Sequence, residues 1–390
     1  MIHRPICQSR FEEDNDMKIT KVTATHLNMS ARHAAGGLDR EDTTCFVAVE
    51  TDEGITGYGQ TGITQTDIVA ACVNKTLAPV VIGHNPLDVE NLGHMMYWAA
   101  SPWGQTGYAS HAIAAIDIAL WDIKGKLTGL PVWRLLGGAR RKLQIYITFG
   151  AEKLSLDETQ AVAKDIVSKG YARLKMRVGR PGLSRRTERP AMDDIVSADI
   201  KRIAAVRDAI GPDVGLALDA GNRLDYPNAV RLAKEAEQYN IAFFEEPITQ
   251  NDPALMAQMR RISRVPLAAG QNEGLPFRFK QLLVADALDY AQPNVAICSG
   301  VTQALKVAGM AAAFNVPISN GGGHAPHNAH LQAGAINGSM IECHVGGFGA
   351  YDQMYEGLPT IKDGWLELTD APGFGLVPDL DRIKSAAAKS

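Results

Sequence analysis

A chain of 390 residues with 46% apolar, 21% charged and 6% aromatic side chains has a globular composition; it exceeds one ordinary domain of about 100 to 200 residues, and disordered, collagen-like and coiled-coil classes are excluded. Lys and Arg number 39 against 43 Asp and Glu, a net charge of -4, and no basic run is long enough to track a phosphate backbone, which excludes nucleic acid as a partner. No stretch of about 18 residues is continuously apolar, and the best one, 304–318, is broken by Lys306 and Asn315, so a membrane span is excluded too.

Residues 1–16 carry Arg4, Arg10, Glu12, Glu13, Asp14 and Asp16 without an apolar core. They read as a disordered N-terminal extension and not as a secretory signal, and the chain is expected in the cytoplasm. The five cysteines are scattered and form no C-x-x-C pair, which predicts reduced thiols and neither a disulfide framework nor a zinc site. Strand-like alternation begins at 18–22. A second strand at 44–50 runs through the hairpin turn Thr51-Asp52-Glu53-Gly54 into a third at 55–60, giving a small antiparallel sheet. Helical patterning follows at 67–80 and 110–127, so the chain from 17 to about 140 reads as an α+β unit.

Beyond Gly137-Gly138 the rhythm changes to short apolar runs, each followed by a helical segment: 143–148, 173–176, 214–218, 242–244, 267–269, 290–292, 316–319 and 340–343. Strands that read as buried on both faces and alternate with helices predict parallel β/α units, and this number of them predicts a (β/α)8-type barrel over 141–364 with its chemistry at the C-terminal strand ends. Two segments depart from the rhythm: 179–199 is expected to be a long loop, and Asn320-Gly321-Gly322-Gly323-His324-Ala325-Pro326-His327 to be too glycine-rich for a helix.

Acidic side chains close two of these strands. Asp219 follows Leu216-Ala217-Leu218, Glu245 follows Phe243-Phe244, and a third candidate, Gln271 or Glu273, follows Ala268-Ala269-Gly270. Asp219, Glu245 and Gln271 are spaced 26 residues apart, one β/α unit each. Any one alone would read as a helix N-cap; three at one-unit intervals point to oxygen ligands converging on a hard divalent cation such as Mg2+.

On the preceding strand, Lys175 and Arg177 lie two apart and share a face, the barrel interior if Leu174 and Met176 face the helices. A lysine beside another cation and a metal has its pKa lowered toward a general base, whereas Arg177 stays protonated and can only hold an anion. Across the mouth, His324, His327 and His330 follow the seventh strand. His324, beside the glycines, is the preferred acid or base, and His330 reads as part of the next helix. Asn294 and Glu342 can point into the same cavity. In the cap, 30–39 and 57–64 are expected to close the mouth, with Arg32, His33 and Arg40 meeting the substrate.

With these residues in place, the chain resembles the enolase superfamily in its mandelate racemase and muconate lactonizing enzyme branch. The resemblance is carried by Ala119-Leu120-Trp121-Asp122-Ile123-Lys124 within 110–126, by Lys175-Met176-Arg177, by Asp219, by Phe244-Glu245-Glu246-Pro247, and by the glycine-histidine step at His324. It implies an α+β capping domain (17–140, completed by 365–390) over a modified TIM barrel, (β/α)7β, and a homo-oligomer. It also implies a Mg2+ ion and removal of the proton α to a carboxylate to give a metal-stabilised enediolate.

Departures from the family choose the reaction. Arg177 stands where a second lysine base is usual, Asn294 where an Asp often supports the histidine, and Gln271 where a Glu is the common third ligand, with Glu273 the other candidate. The expected reaction is dehydration of an acid sugar to a 2-keto-3-deoxy acid. Lys175 or His324 takes the α-proton, Arg177 holds the carboxylate or a hydroxyl, His324 protonates the departing hydroxyl and Glu342 bonds the enediolate. Racemisation, epimerisation or cycloisomerisation of a carboxylate is the alternative, and a non-catalytic binding relative the further one.

Overall fold

The computed structural model describes residues 17–31, 40–102, 106–151, 154–188, 190–345 and 347–388; the N-terminal extension, Arg32, His33 and the side chain of Arg40 lie outside the described residues. Strands β1 (Ile19–Ala31), β2 (Arg40–Thr51) and β3 (Thr56–Gly62) form an antiparallel sheet in the order β1-β2-β3. β1 and β2 extend well beyond the alternating runs in the sequence. Buried positions shift along β1 from Val22 and Ala24 to Leu27 and Met29, which breaks the two-residue period while the ladder continues.

Helix α1 (Thr66–Cys72) passes through a π-turn at Val73–Leu77 into α2 (Ala78–Val81), so the expected helix at 67–80 is present in three pieces. After α3 (Val89–Ala100), the largely buried α4 (Tyr108–Thr128) lies on β3. Gly57 and Gly59 permit that contact: a Cβ on Gly59 would fall 1.9 Å from the Ala115 carbonyl oxygen, and one on Gly57 2.1 Å from that of Ala119. Helix backbone therefore rests directly on strand backbone. The short α5 (Val132–Leu135) leads to the barrel.

The barrel runs β4 (Lys142–Phe149), α6 (Leu156–Ser168), β5 (Arg173–Arg177), α7 (Met192–Ile210), β6 (Gly215–Asp219), α8 (Tyr226–Ala236), β7 (Ile241–Glu245), α9 (Pro253–Ile262), β8 (Leu267–Ala269), α10 (Pro276–Val284), β9 (Tyr290–Ala291), α11 (Val301–Ala313), α12 (Ala325–Gly334) and β10 (Met340–His344). Helix starts follow local chemistry: Ser155 and Glu158 cap α6 reciprocally, and Asp225 caps α8 ahead of a proline. Parallel pairing runs β10-β4-β5-β6-β7-β8-β9. Ile318 closes the ring by single bridges to Ala291 and Gly338. The expected seventh strand at 316–319 thus shrinks to one residue, because Pro317 has no N–H to extend a ladder.

The remaining elements are α13 (Tyr351–Met354), β11 (Tyr355–Glu356), β12 (Thr360–Lys362), β13 (Trp365–Glu367), β14 (Val377–Pro378) and α14 (Leu380–Ala387). β13 pairs antiparallel with β4 of the barrel, whereas α14 packs on β1 of the cap. This is a modified TIM barrel under an α+β cap.

Outward-facing Leu174, Met176, Leu216, Leu218 and Phe244 join the main core beneath the helices. Inward-facing Tyr146, Ala217, Phe243, Ala268 and Met340 form a separate plug that fills the base of the barrel. Two local expectations need correction. α7 already begins at Met192, with Asp193 and Asp194 in its first turn, so the loop after β5 is shorter than 179–199. α12 begins at Ala325 with Pro326 in its first turn, so His327 is helical and the glycine-rich loop ends at His324.

Candidate active site at the barrel mouth

A cavity of about 590 Å³ opens above the plug, lined by strand ends of the barrel and roofed by Gln60, Gly62, Ile63 and Thr64 of the cap. The expected closure of the mouth by 57–64 is seen in these last residues. Lys175 is fully buried behind two of the lining residues, Asp219 and Glu342, with Nζ 5.2 Å from the centroid of the Tyr146 ring. It projects inward as strand alternation required, and so does Arg177, which lines the cavity.

Three carboxylates surround Lys175: Nζ lies 2.5 Å from Glu245 Oε1, 2.9 Å from Glu342 Oε1 and 3.9 Å from Asp219 Oδ2. Burial alone would lower the lysine pKa, but Glu245, Glu342 and Asp219 outweigh it and hold the ammonium charged. The expectation of a lowered Lys175 pKa is therefore corrected: its neighbours are acids, and Arg177 is not what it meets. A divalent cation on the same carboxylates would compete with that stabilisation. Burial in turn pushes Glu245 above the usual carboxylate range. Burial would raise Glu342 as well, but Lys175, His344 and the Thr148 hydroxyl hold it well below that range.

Asp219 is 6% exposed; its Oδ1 is buried with no hydrogen-bond partner among the described residues, and its Oδ2 is 3.6 Å from Arg180 Nη2. Gln271 Nε2 donates to Glu245 Oε1 at 2.7 Å and to Glu246 Oε2 at 3.1 Å; a half-turn of the amide presents Oε1 to the same place. Glu273 is not brought to this cluster. Its carboxylate lies 3.1 Å from Arg278 Nε and accepts from Asn251, outside the cavity. Among the described residues no three of His, Cys, Asp and Glu converge as a metal site does. The set of groups that could hold a metal here is two carboxylates, Asp219 and Glu245, with the Gln271 amide. Its all-oxygen chemistry and the orphaned Oδ1 of Asp219 suit a hard cation such as Mg2+.

Glu246 was recognised only as part of a motif, yet it lines the cavity. Its backbone takes φ 42, a left-handed step that turns its side chain back to the face where strand alternation would not put it. The carboxylate accepts from Asn222 at 2.9 Å, Asn272 at 2.8 Å and Asn251 at 3.1 Å, and burial pushes its pKa up to about 7. Arg180 and Arg223 also line the cavity and were not singled out. The available signal was position, a few residues past Arg177 and Asp219 on the catalytic face. Neither Arg177 nor Arg223 has an ion-pair partner among the described residues.

On the opposite side, His324 caps α12 in a left-handed conformation, φ 55, after Gly322 at φ 76 and Gly323 at φ 71. Its Nδ1 is 2.9 Å from the Tyr351 hydroxyl, and its buried Nε2 has no partner among the described residues. Burial, then His111 and His344, lower its pKa to about 3, so the ring is neutral. His327 and His330 lie within α12 away from the cavity: His327 Nδ1 is 2.7 Å from Tyr351 Oη, and His330 Nδ1 accepts the Trp133 N–H. Asn294 does not touch His324, contrary to the idea that it orients the imidazole. Its Nδ2 donates to the carbonyls of Gly321 at 2.8 Å and Gly322 at 3.1 Å, while its Oδ1 accepts from Asn328, so it fastens the glycine loop. Glu342 lines the cavity and accepts the Gly323 N–H at 3.0 Å.

Known proteins share this layout. Residues 18–137 match the family described as mandelate racemase / muconate lactonizing enzyme, N-terminal domain, and residues 158–382 match enolase C-terminal domain-like. Arabinonate dehydratase of Saccharolobus solfataricus is 30% identical over 334 residues, 84% of this chain and 86% of the relative. D-galactonate dehydratase of Klebsiella pneumoniae is 33% identical over 388 residues, 94% of each chain. A racemase from Streptomyces coelicolor A3(2), solved with bound magnesium, superposes with a TM-score of 0.84 at 26% identity, covering 94% of this chain and 99% of its own.

Proposed function

The chain belongs to the enolase superfamily, in its mandelate racemase/muconate lactonizing enzyme branch, and from that premise we propose that it is a Mg2+-dependent hydro-lyase. It dehydrates an acid sugar, an aldonate or aldarate, to the 2-keto-3-deoxy acid. The observation that carries the reading is one cavity lined on one side by Asp219 and Glu342, the carboxylates that hold buried Lys175, and on the other by His324, whose Nε2 has no partner among the described residues. Arabinonate and D-galactonate dehydratases among the relatives support the substrate class. Arg177, Arg180 and Arg223 supply the positive lining that an anionic substrate needs.

Asp219, Glu245 and Gln271 would hold the Mg2+, which when bound neutralises charge developing on the substrate carboxylate. Arg177 pairs with that carboxylate. Lys175, freed from its acids, or His324 receives the α-proton; a proton taken up at His324 Nε2 makes that ring an imidazolium, and the same nitrogen then delivers the proton to the departing 3-hydroxyl and returns to the neutral form. Glu342 accepts a hydrogen bond from the substrate near the reacting carbon. Residues 17–140, completed by 365–390, form the capping unit and 141–364 the barrel, and the enzyme works in the cytoplasm as a homo-oligomer. No helix among the described residues is long and apolar enough to cross a membrane.

The second reading, racemisation, epimerisation or cycloisomerisation, is favoured by the placement of Lys175 and His324 at opposite walls and by the racemase among the structural neighbours. Purified protein with Mg2+ is incubated with aldonic and aldaric acids, and α-keto acids are trapped with semicarbazide. A product lost on adding EDTA and in Asp219→Asn supports dehydration. Solvent deuterium at Cα with no change in substrate composition supports the second reading.

A further inference from the structure

We propose that Tyr351 is the positioning residue of His324, holding the imidazole by Nδ1 with a hydroxyl in place of a carboxylate and setting its tautomer opposite to that of His327. The inference rests on the reading of His324 as the group that protonates the leaving oxygen.

The geometry is a three-member chain. Tyr351 Oη lies 2.9 Å from Nδ1 of His324 and 2.7 Å from Nδ1 of His327, and the ring is 3% exposed. A phenol has one proton to donate and lone pairs to accept with. If it donates to His324, that ring carries its proton on Nε2, at the cavity, and His327 must donate from Nδ1. If it donates to His327, the assignments reverse. Both hydrogen bonds exist only when the two neutral rings hold opposite tautomers, so the cavity-facing nitrogen of His324 is set by a proton two residues away from the chemistry.

Tyr351 can hold this position because it is itself held. Its ring stacks on Tyr355 at 5.7 Å between centroids, and Tyr355 meets Phe46 of β2 at 6.4 Å. His324 and His327 meet the Tyr351 ring edge-on at 5.9 and 5.3 Å. A stack of aromatic rings therefore runs from the cap sheet to the imidazole. Among the described residues no carboxylate is hydrogen-bonded to His324, and Asn294, another polar group near the loop, is spent on glycine carbonyls. A hydroxyl orients an imidazole without stabilising its cation, which agrees with a ring that burial keeps neutral.

The first test needs no activity: 15N-edited NMR of the imidazoles in the unmodified protein. Opposite neutral tautomers at His324 and His327, with the His324 pattern changed in Tyr351→Phe, are expected. The same tautomer in both rings, or an unchanged pattern in the variant, overturns the proposal. The second test compares leaving groups. In Tyr351→Phe, loss of water should slow about 10- to 100-fold with KM nearly unchanged. Loss of fluoride from a 3-deoxy-3-fluoro acid sugar, which needs no protonation, should hold within about 3-fold of the unmodified rate. Equal slowing on both substrates would make Tyr351 merely structural. Failure of the unmodified protein to dehydrate any acid sugar would instead overturn the functional reading, with the NMR result still standing on its own.

Discussion

The two walls of the cavity treat charge in opposite ways. On the wall of β5, β6, β7 and β10, opposite charges are brought together in the interior: Lys175 sits among Glu245, Glu342 and Asp219, and its buried ammonium is tolerable only because the acids are there. On the wall of α12 and α13, burial keeps the groups neutral. His324, His327 and His330 all have lowered pKa values, and their partners are a hydroxyl and a backbone amide. A binding wall has to present fixed charge to an anion and a cation, whereas a neutral imidazole has a lone pair free to take up a proton. The contrast is thus a division of labour between electrostatics and proton transfer.

Removing charge from the first wall should have the largest effect. Asp219→Asn is expected to lower kcat by about 10³-fold or more, the scale of several kcal/mol of transition-state charge stabilisation, and to abolish Mg2+ binding in calorimetry; retained metal affinity would displace Asp219 from the site. Lys175→Met leaves buried Glu245 and Glu342 without their ammonium partner and Asp219 with Arg180 alone, and should cost about 3 to 5 kcal/mol of folding stability in denaturant titration, unless Mg2+ is added to replace it. Across the cavity, His324→Gln should cut dehydration about 10²- to 10⁴-fold yet change stability little. If both variants lost stability equally, the contrast between the walls would fail.

Acid should discriminate between the walls more gently. Burial lowers His111, the neighbour of His324 that shares a 2.7 Å contact with Thr61, to about 4 from an ordinary 6.5. The unfolded chain therefore binds a proton through this window that the folded chain refuses, and stability falls as pH drops below about 6.5, flattening near 4. At pH 5 this group alone should cost about 2 kcal/mol relative to pH 7. Thermal unfolding at both pH values in His111→Gln should show that much less pH dependence. The smallest effects separate two candidate ligands. Gln271→Leu should weaken Mg2+ binding at least about 10-fold. Glu273→Gln, whose carboxylate is engaged by Arg278 outside the cavity, should alter stability by no more than about 1 kcal/mol and leave metal affinity unchanged.

Much of the barrel was legible because a parallel strand buried on both faces leaves a short apolar run that little else produces, and because residues at the ends of such runs share one rim. That logic located Lys175, Arg177, Asp219, Glu245 and Glu342 and led to His324. It failed where backbone leaves the regular period. Glu246 reaches the cavity through a positive φ, the seventh strand is cut to Ile318 by Pro317, and β1 shifts its buried face midway. The family resemblance, not that logic, set Asn294 where a partner of the histidine is usual, and the structure spends it on the glycine carbonyls instead, since sequence order cannot say whether a residue near the loop meets a side chain or a carbonyl.

The sequence alone determined the alternation of strands and helices, the interior direction of Lys175 and Arg177, and the regular spacing of Asp219, Glu245 and Gln271, because these follow from periods of two residues and of one β/α unit. Tertiary structure decided which charges meet. Lys175 is surrounded by acids contributed from three other strands, Glu273 turns to Arg278, and Tyr351 comes back from beyond the last barrel strand to hold His324. Such contacts join residues far apart in the chain, and both their geometry and their pKa consequences depend on burial, which exists only once the chain has closed on itself.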